Sequence, residues 1–184
     1  MTPPPNILLT HRFDTPLGEM LACASPSGLC LLEFADTPAD APRLQKELNA
    51  LQRLLATTIA PGVNTHIQQA QQQLQDYFRG VRRNFSVVLH MSGTAFQQRV
   101  WNGLLRIPYG QTVSYQEEAQ AINQPSAVRA VANANGANRM SIIIPCHRVI
   151  GKNGQLVGYG GGLARKQWLL LHEQRMLATT IHKP

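Results

Sequence analysis

The sequence is poor in cysteine, in long apolar runs and, in its second half, in acidic residues. Three cysteines in 184 residues are too few, and odd in number, for a disulfide scaffold. No apolar run approaches the roughly 18 residues that a membrane span needs, and Met1–Pro5 lacks the features of a secretory signal. Because 43% of the residues are hydrophobic, the chain can bury a sizeable core. We therefore expect a soluble, intracellular protein with reduced cysteines.

The charge is unevenly distributed along the chain. Residues 1–91 carry seven acidic and seven basic side chains, so their formal charge is zero. Residues 92–184 carry ten basic and three acidic side chains and hold the whole excess of +7. This asymmetry favours a polyanionic partner for the second half, although ordinary solubility charge would give the same numbers. The residue pattern also changes near Ser92, and we predict two domains, 1–91 and 92–184.

The first domain is predicted to be a small α/β unit that follows a Pro-rich tail at 1–6. Leucines at helical spacing between Leu44 and Leu55 predict one helix. Residues 65–78 predict a second helix, whose glutamines would form its solvent-facing side, and 85–90 fits either a strand or a linker. Turn residues separate three apolar runs, which predict an antiparallel meander at 7–13, 19–24 and 29–34.

The second domain begins with three predicted helices. Thr94 can cap the first helix, whose inner face would end at Leu105. Ser114 followed by Glu117 is a capping-box pattern that opens the second helix. The third helix, at 126–135, follows after a tight turn, so the last two resemble a helix-turn-helix. Such pairs also occur in proteins that do not bind DNA.

The third of these helices would be unusually slim. Its surface is rich in alanine, and Arg129 is its only charged residue. Small residues let a helix pack tightly on its neighbours. They also let its backbone approach a ligand closely, with one arginine projecting towards that ligand.

Cys146 is the residue that most strongly indicates chemistry. Residues 141–144 predict a buried strand, which would deliver Cys146 to a strand end beside His147 and Arg148. A neighbouring imidazole or cation lowers a thiol pKa and raises the thiolate fraction; the alternative is an inert buried cysteine. Adjacent side chains on an extended segment point to opposite sides. Cooperation between Cys146 and His147 would therefore need a bridging water.

An acidic residue is needed to orient the imidazole of His147. Glu117 and Glu118 are expected on an exposed helix face. Glu173 lies in an apolar stretch of the last predicted helix, 163–177. A buried, unpaired carboxylate is costly, and pairing with His147 would remove that cost. The alternative is that Glu173 faces water.

The segment Pro145-Cys146-His147-Arg148-Val149 resembles the active-site motif of the O6-alkylguanine-DNA alkyltransferases, or methylated-DNA–protein-cysteine methyltransferases. The resemblance covers residues 94–174, whereas the first half resembles the family weakly, mainly at Thr15–Gly18. The other matching segments are Ser114-Tyr115, Ala127–Val131, Asn138, Tyr159–Leu163 and Trp168–Glu173.

The resemblance implies an α/β fold with two lobes. A small ribonuclease H-like N-terminal lobe would support a C-terminal winged-helix-like lobe containing the helix-turn-helix. The slim helix would bind double-stranded DNA in the minor groove, and the damaged base would be flipped out of the stack. Arg129 would fill the vacated space and Tyr115 would push on the adjacent phosphate. The implied DNA-binding residues are Tyr115, Gln116, Arg129 and Lys152.

The resemblance also implies a single transfer of an alkyl group from O6-alkylguanine, and from O4-alkylthymine, to Cys146. His147 would act as a base through a water, with Glu173 orienting it. Asn138 would hold the thiol region, and Tyr115 would protonate the departing base. The product is a stable thioether, so each molecule acts once and no cofactor is implied. The residues expected to line the guanine pocket are Met140, Val149, Tyr159 and Gly160.

Several positions depart from the family pattern. Ser126 stands where lysine is frequent, and Arg139 stands where proline commonly follows the asparagine. Cys23 and Cys30 lack the zinc-binding pattern of some relatives, so we expect no metal. The family implies a cytoplasmic protein, or a nuclear one in a eukaryote. We expect a monomer without membrane association; cooperative assembly on DNA and the preferred alkyl group are left open.

Two other functions compete with repair. A non-catalytic DNA-binding regulator would explain the basic half and the helix-turn-helix, but it needs no Cys146. A cysteine hydrolase would use a Cys–His pair, but the adjacent placement of Cys146 and His147 disfavours direct contact. DNA binding without alkyl transfer to the protein would favour the regulator. Turnover on an ester would favour the hydrolase.

Overall fold

A computed structural model of the chain describes residues 7–181, so the predicted tail at 1–6 lies outside the described residues. The backbone divides into two compact units, Met1–Ser92 and Gly93–Pro184. The mixed α/β class predicted from the sequence is confirmed. None of the helices in 7–181 combines the length and the apolar character that crossing a membrane requires.

The first unit is built on a four-stranded sheet. The predicted meander is confirmed as β1 (Ile7–Thr15), β2 (Gly18–Ser25) and β3 (Gly28–Phe34). Strand β2 pairs antiparallel with both β1 and β3. A fourth strand, β4 (Thr58–Pro61), pairs parallel with β1 and gives the order β3-β2-β1-β4. The sequence analysis missed β4, because four residues ending in proline carry too little strand pattern.

Two helices accompany this sheet. Helix α1 spans Asp40–Leu54, and its leucines join the core beside β2 and β3. Helix α2 spans Thr65–Phe78, as predicted, and the Asn64 side chain caps it by accepting from the backbone of Ile67. Its buried apolar residues recur at helical spacing and face the sheet.

The prediction that the glutamines of α2 face solvent is wrong at Gln73, which is 7% exposed. Its Oε1 accepts from the backbone N–H groups of Ser86 and Val87, and its Nε2 donates to Ser86 Oγ. Segment 85–90 is a linker with one isolated bridge, between Leu29 and Leu89. The amide of Gln73 thus supplies hydrogen bonds that a neighbouring strand would otherwise give.

The second unit is mainly helical. Its helices are α3 (Ala95–Leu104), α4 (Tyr115–Ala121), α5 (Val128–Gly136) and α6 (Leu163–Ile181). Two short strands, β5 (Val113–Ser114) and β6 (Val149–Ile150), pair parallel. The capping boxes predicted at Thr94 and Ser114 are both confirmed, with Gln97 and Glu117 as the reciprocal partners.

Two details of the predicted helices are wrong. Leu105 is 41% exposed, because α3 ends at Leu104 and the chain then turns away from the inner face. Glu118 is 2% exposed, although α4 was expected to present it to water. It faces α5, where its Oε2 accepts a hydrogen bond from Asn135.

The strand predicted at 141–144 is also wrong. These residues are buried but form turns, and Ile142 has a φ of 72°. Asn138 closes the turn from within, because its Oδ1 accepts from Met140 N and its Nδ2 donates to Ile144 O. Residues Cys146–Arg148 then form a short 3-10 helix rather than an extended strand end.

We predict that Gln73→Ala destabilises the first unit by about 1–3 kcal/mol, because it leaves the buried N–H of Val87 and the part-buried N–H of Ser86 without their acceptor. Urea denaturation followed by circular dichroism measures the change. Gln69→Ala is the matched control, since Gln69 is an exposed glutamine of the same helix. Equal effects of the two substitutions would contradict the assignment.

Candidate active site

Cys146 begins the 3-10 helix and is partly exposed. Asn138 lies beside it: the Nδ2 group donates to Cys146 Sγ at 3.3 Å and to Ile144 O at 2.9 Å. The same side chain therefore closes the preceding turn and fixes the position of the thiol. The predicted pairing of Asn138 with the thiol region agrees with this geometry.

His147 and Glu173 are both completely buried and in direct contact. His147 Nε2 lies 2.8 Å from Glu173 Oε1. The other ring nitrogen, Nδ1, is buried and makes no hydrogen bond to any residue in the described part of the chain. The carboxylate therefore fixes one face of the imidazole, and Nδ1 is the nitrogen that remains to exchange a proton.

Arg148 is a partner of Glu173 that the sequence analysis did not assign. Its Nε donates to Glu173 Oε2 and its Nη2 to Glu173 Oε1, both at 3.0 Å, while Nη1 donates to Ile107 O at 2.7 Å. The backbone N–H of Gly110 also donates to Glu173 Oε2, at 2.8 Å. The buried carboxylate is thus fully satisfied. The sequence did contain a clue. Arg148 directly follows His147, the residue already expected to pair with an acidic residue in an apolar run.

These neighbours set the protonation of the pair. Burial alone would raise the pKa of Glu173, but hydrogen bonds and charges from His147 and Arg148 lower it to about 2. Burial lowers the pKa of His147, and the charges of Arg148 and Lys166 act in the same direction, against the opposing effect of Glu173. The pair at neutral pH is therefore a carboxylate and a neutral imidazole, which can accept a proton.

Lys166 is a second buried cation that the sequence analysis missed. Its ammonium group donates to three backbone carbonyls, those of Val149, Val157 and Gly158. Burial lowers the pKa of Lys166, while the nearby charge of Cys146 raises it. Lys166, Leu169 and Glu173 recur at helical spacing on the buried side of α6. Two charged residues on one apolar helix face were the signal in the sequence.

Tyr115 lies close to the same carbonyl cluster. Its hydroxyl donates to Val157 O at 3.0 Å, and its ring centroid is 6.0 Å from Lys166 Nζ. Burial raises the pKa of Tyr115, and negative charge on Cys146 or Glu118, when these groups are ionised, raises it further. The phenol therefore keeps its proton and, together with Lys166, holds the segment that leads into Tyr159.

The four residues predicted to line a pocket are in two different environments. Met140 and Val149 are buried in the core of the second unit. Tyr159 is half-buried and Gly160 is exposed, and a Cβ atom built on Gly160 would have no neighbour within 4 Å. Gly160 therefore leaves open space at the surface, whereas Met140 and Val149 belong to the core.

The predicted DNA-binding residues lie at the start of α4, on α5 and in the turn after β6. Arg129 is exposed near the start of α5, and Lys152 is exposed in the 151–154 turn. Gln116 is half-buried and donates from Nε2 to Pro125 O, so it also holds the turn between α4 and α5. Helix α5 carries no acidic residue that would oppose a phosphate.

The other two cysteines differ from Cys146. Cys23 and Cys30 are buried in the sheet of the first unit. Burial raises the pKa of Cys23 to about 12 and also raises the pKa of Cys30. Both therefore remain thiols at neutral pH. Within 7–181 no group of three or more His, Cys, Asp or Glu residues is arranged to hold a metal ion.

Comparisons with known proteins place this chain in one class. The family model "6-O-methylguanine DNA methyltransferase, ribonuclease-like domain" matches residues 8–91, and the DNA binding domain of the same description matches 95–175. A methylated-DNA–protein-cysteine methyltransferase from Mycobacterium leprae is 51% identical over 93% of this chain and 95% of its own length. The chain belongs to the methylated-DNA–protein-cysteine methyltransferase family.

Solved structures agree with this assignment. The O6-methylguanine methyltransferase of Mycobacterium tuberculosis superposes with a TM-score of 0.76 at 41% identity, over 92% of this chain and 94% of that one. The structure of M. tuberculosis OGT in complex with DNA gives a TM-score of 0.74 at 40% identity, with the same coverage of both chains. The fold expected from the resemblance, with a ribonuclease-like first domain, is thereby confirmed.

We predict that Glu173→Gln destabilises the second unit by about 3–5 kcal/mol, because it leaves the buried Arg148 without a charge partner. Chemical denaturation measures the loss, with Gln174→Ala on the exposed side of α6 as the control. A loss no larger than that of the control would mean that the Arg148–Glu173 pair does not support the fold.

Proposed function

We propose that this protein repairs alkylated DNA by transferring the alkyl group of O6-alkylguanine in double-stranded DNA to Cys146. The observation that carries the proposal is the thiol of Cys146, held by Asn138 next to a buried His147–Glu173 pair. The family relationship supports both DNA as the partner and a cysteine as the acceptor. O4-alkylthymine, which offers the same kind of alkyl–oxygen bond, is the second substrate.

The first step is ionisation of the thiol. A water carries the proton from Cys146 Sγ to Nδ1 of His147, because Nε2 is already engaged by Glu173. The fixed negative charge of Glu173 stabilises the imidazolium that forms. The charge of Cys146 raises the pKa of Lys166, so the two groups attract each other when both are ionised. The cationic charge on Lys166 therefore favours the thiolate.

The second step is displacement at the alkyl carbon. The thiolate of Cys146 forms the S–C bond as the C–O bond breaks, and the electron pair of that bond passes to guanine. Tyr115, which keeps its proton because its pKa is raised by burial, supplies a proton to the departing base. The resulting thioether is not reversed by thiol exchange, so one chain accepts one alkyl group. The proton that His147 took from Cys146 then restores the phenol of Tyr115 through solvent, so thiol and alkylguanine give thioether and guanine without a cofactor.

The substrate base must leave the DNA duplex before reaction, since its O6 substituent lies inside the duplex. Helix α5 enters the minor groove, and its alanine-rich surface allows close approach. Arg129 occupies the space left by the base, and Tyr115 contacts the adjacent phosphate. Gln116 and Lys152 add contacts with the DNA backbone. Tyr159 and Gly160 line the exposed side of the space that holds the flipped base. The protein acts as a monomer.

We predict that Cys146→Ser binds DNA but transfers nothing, because a serine hydroxyl has negligible anion at neutral pH and no base placed to activate it directly. Intact-protein mass spectrometry after incubation with O6-methylguanine DNA measures transfer, and a gel-shift assay measures binding. In the wild type the mass increase stops at one alkyl group per chain and maps to the peptide that contains Cys146. Repeated turnover, or an adduct on Cys23 or Cys30 with Cys146 unmodified, would refute the mechanism.

We predict that Arg129→Ala slows repair of duplex DNA by about tenfold or more, because unstacking a base costs a few kcal/mol. Reaction with a free O6-alkylguanine base is unchanged, since that substrate needs no flipping. Arg139→Ala is the control for loss of one positive charge from the same domain. Equal slowing on both substrates would remove Arg129 from this role.

A further inference from the structure

Glu118 and Asn135 form a buried polar contact between α4 and α5. Glu118 is 2% exposed and Asn135 is 7% exposed. Asn135 Nδ2 donates to Glu118 Oε2 at 2.6 Å. No step of the proposed transfer uses either side chain. The contact nevertheless joins the helix that carries Tyr115 and Gln116 to the helix that carries Arg129.

The remaining two oxygens of this pair lack donors. Glu118 Oε1 and Asn135 Oδ1 are both buried, and neither receives a hydrogen bond from the described residues. An ionised carboxylate would leave two buried acceptors unsatisfied in one contact, which costs free energy. A single proton on the carboxyl group changes one of these acceptors into a donor. The acid and the amide can then exchange two hydrogen bonds.

In the described part of the chain no cation pairs with Glu118: Arg106 lines the same cavity as Glu118, but the pKa of Glu118 is set by burial and by the hydrogen bond from Asn135. Helix α4 packs against α3, α5, β5 and β6. Glu117 is engaged in capping at Ser114, and burial raises the pKa of Glu118 to about 7. The charged or titratable groups on α4, on these elements and next to them are Arg99, Arg106, Tyr115, Glu117, Arg129 and Arg148.

We propose that Glu118 is a positioning residue for the DNA interface: it takes a proton from solvent, and the neutral acid–amide pair with Asn135 holds α4 against α5. The spacing between Tyr115 and Arg129, the two residues assigned to the flipped nucleotide, depends on this helix pairing. Loss of the proton weakens the pairing, so DNA affinity falls as the pH rises. The link to DNA rests on the proposed function, whereas the protonation of Glu118 does not.

The direction of the pH effect follows from linkage. Glu118 binds its proton more tightly in the folded protein than in the unfolded chain, where a glutamate titrates near about 4.3. Its stabilising effect is therefore complete below that pH and is lost as the pH rises towards about 7. Between these values the folding equilibrium constant falls by up to about tenfold per pH unit from this group alone.

The first experiment uses the wild-type chain without DNA. A 13C NMR titration of the glutamate side-chain carboxyl carbons measures Glu118 directly, and the capping carboxylate Glu117, whose pKa is lowered by hydrogen bonds from Ser114, is the internal reference. A midpoint for Glu118 well above that of Glu117, near neutral pH, supports the proposal. A midpoint near the ordinary glutamate value would overturn it, whatever the outcome for alkyl transfer.

The second experiment compares Glu118→Gln with Glu117→Gln. Glutamine at 118 can exchange two amide hydrogen bonds with Asn135 but has no proton to lose. Stability measured by urea denaturation from pH 5 to 8 should therefore lose the Glu118-dependent decline in Glu118→Gln and keep it in Glu117→Gln. The same decline in both variants would contradict the assignment.

The third experiment tests the link to DNA. Affinity for an unmodified duplex at fixed salt is measured at pH 6 and pH 8 for the wild type, for Glu118→Gln and for Glu117→Gln. The wild type should lose several-fold more affinity than Glu118→Gln, and Glu117→Gln, which keeps Glu118, should lose as much as the wild type. Equal loss of affinity in the wild type and in Glu118→Gln would limit Glu118 to stability and overturn its positioning role.

Discussion

The second unit is organised around one buried carboxylate, that of Glu173. A carboxylate without water needs donors for its lone pairs, and here the donors come from His147, from Arg148 and from the backbone of Gly110. Helix α6, the 3-10 helix and the turn after α3 therefore meet at one charge. Cys146 begins that 3-10 helix. The pairing of Glu173 with His147 and Arg148 therefore also fixes where the Cys146 thiol lies.

The same unit contains a second buried glutamate with the opposite electrostatic setting. Glu173 is held ionised by two neighbouring groups that can carry positive charge, which lower its pKa to about 2. The Glu118 carboxyl accepts a hydrogen bond from the amide of Asn135, and burial raises its pKa to about 7. Two residues of one type thus acquire different charges because of their partners. One fixes the imidazole of His147, and the other accepts a hydrogen bond between two helices.

Features set by local sequence were predictable, whereas those set by distant partners were not. The bounds of α2 and the capping boxes at Thr94 and Ser114 depend on residues within one turn of each other. Residues 141–144 have strand propensity, but Asn138 gives their backbone other partners. Similarly, the sequence alone gives no reason to place Lys166 anywhere but on the surface. In the structure, three carbonyls from separate segments surround it. The pairing of His147 with Glu173 was predictable, since an acid in an apolar run needs a partner.

The extended geometry expected at Cys146 and His147 is wrong. Adjacent residues on a strand point to opposite sides, so a water was invoked between Cys146 and His147. In the 3-10 helix the directions of successive side chains differ by about 120° instead. His147 is turned inward to Glu173 and completely buried, while Cys146 is partly exposed. In the proposed function the base is thereby fixed in the interior and the nucleophile is left within reach of DNA. A direct contact between the two would sacrifice one of these conditions.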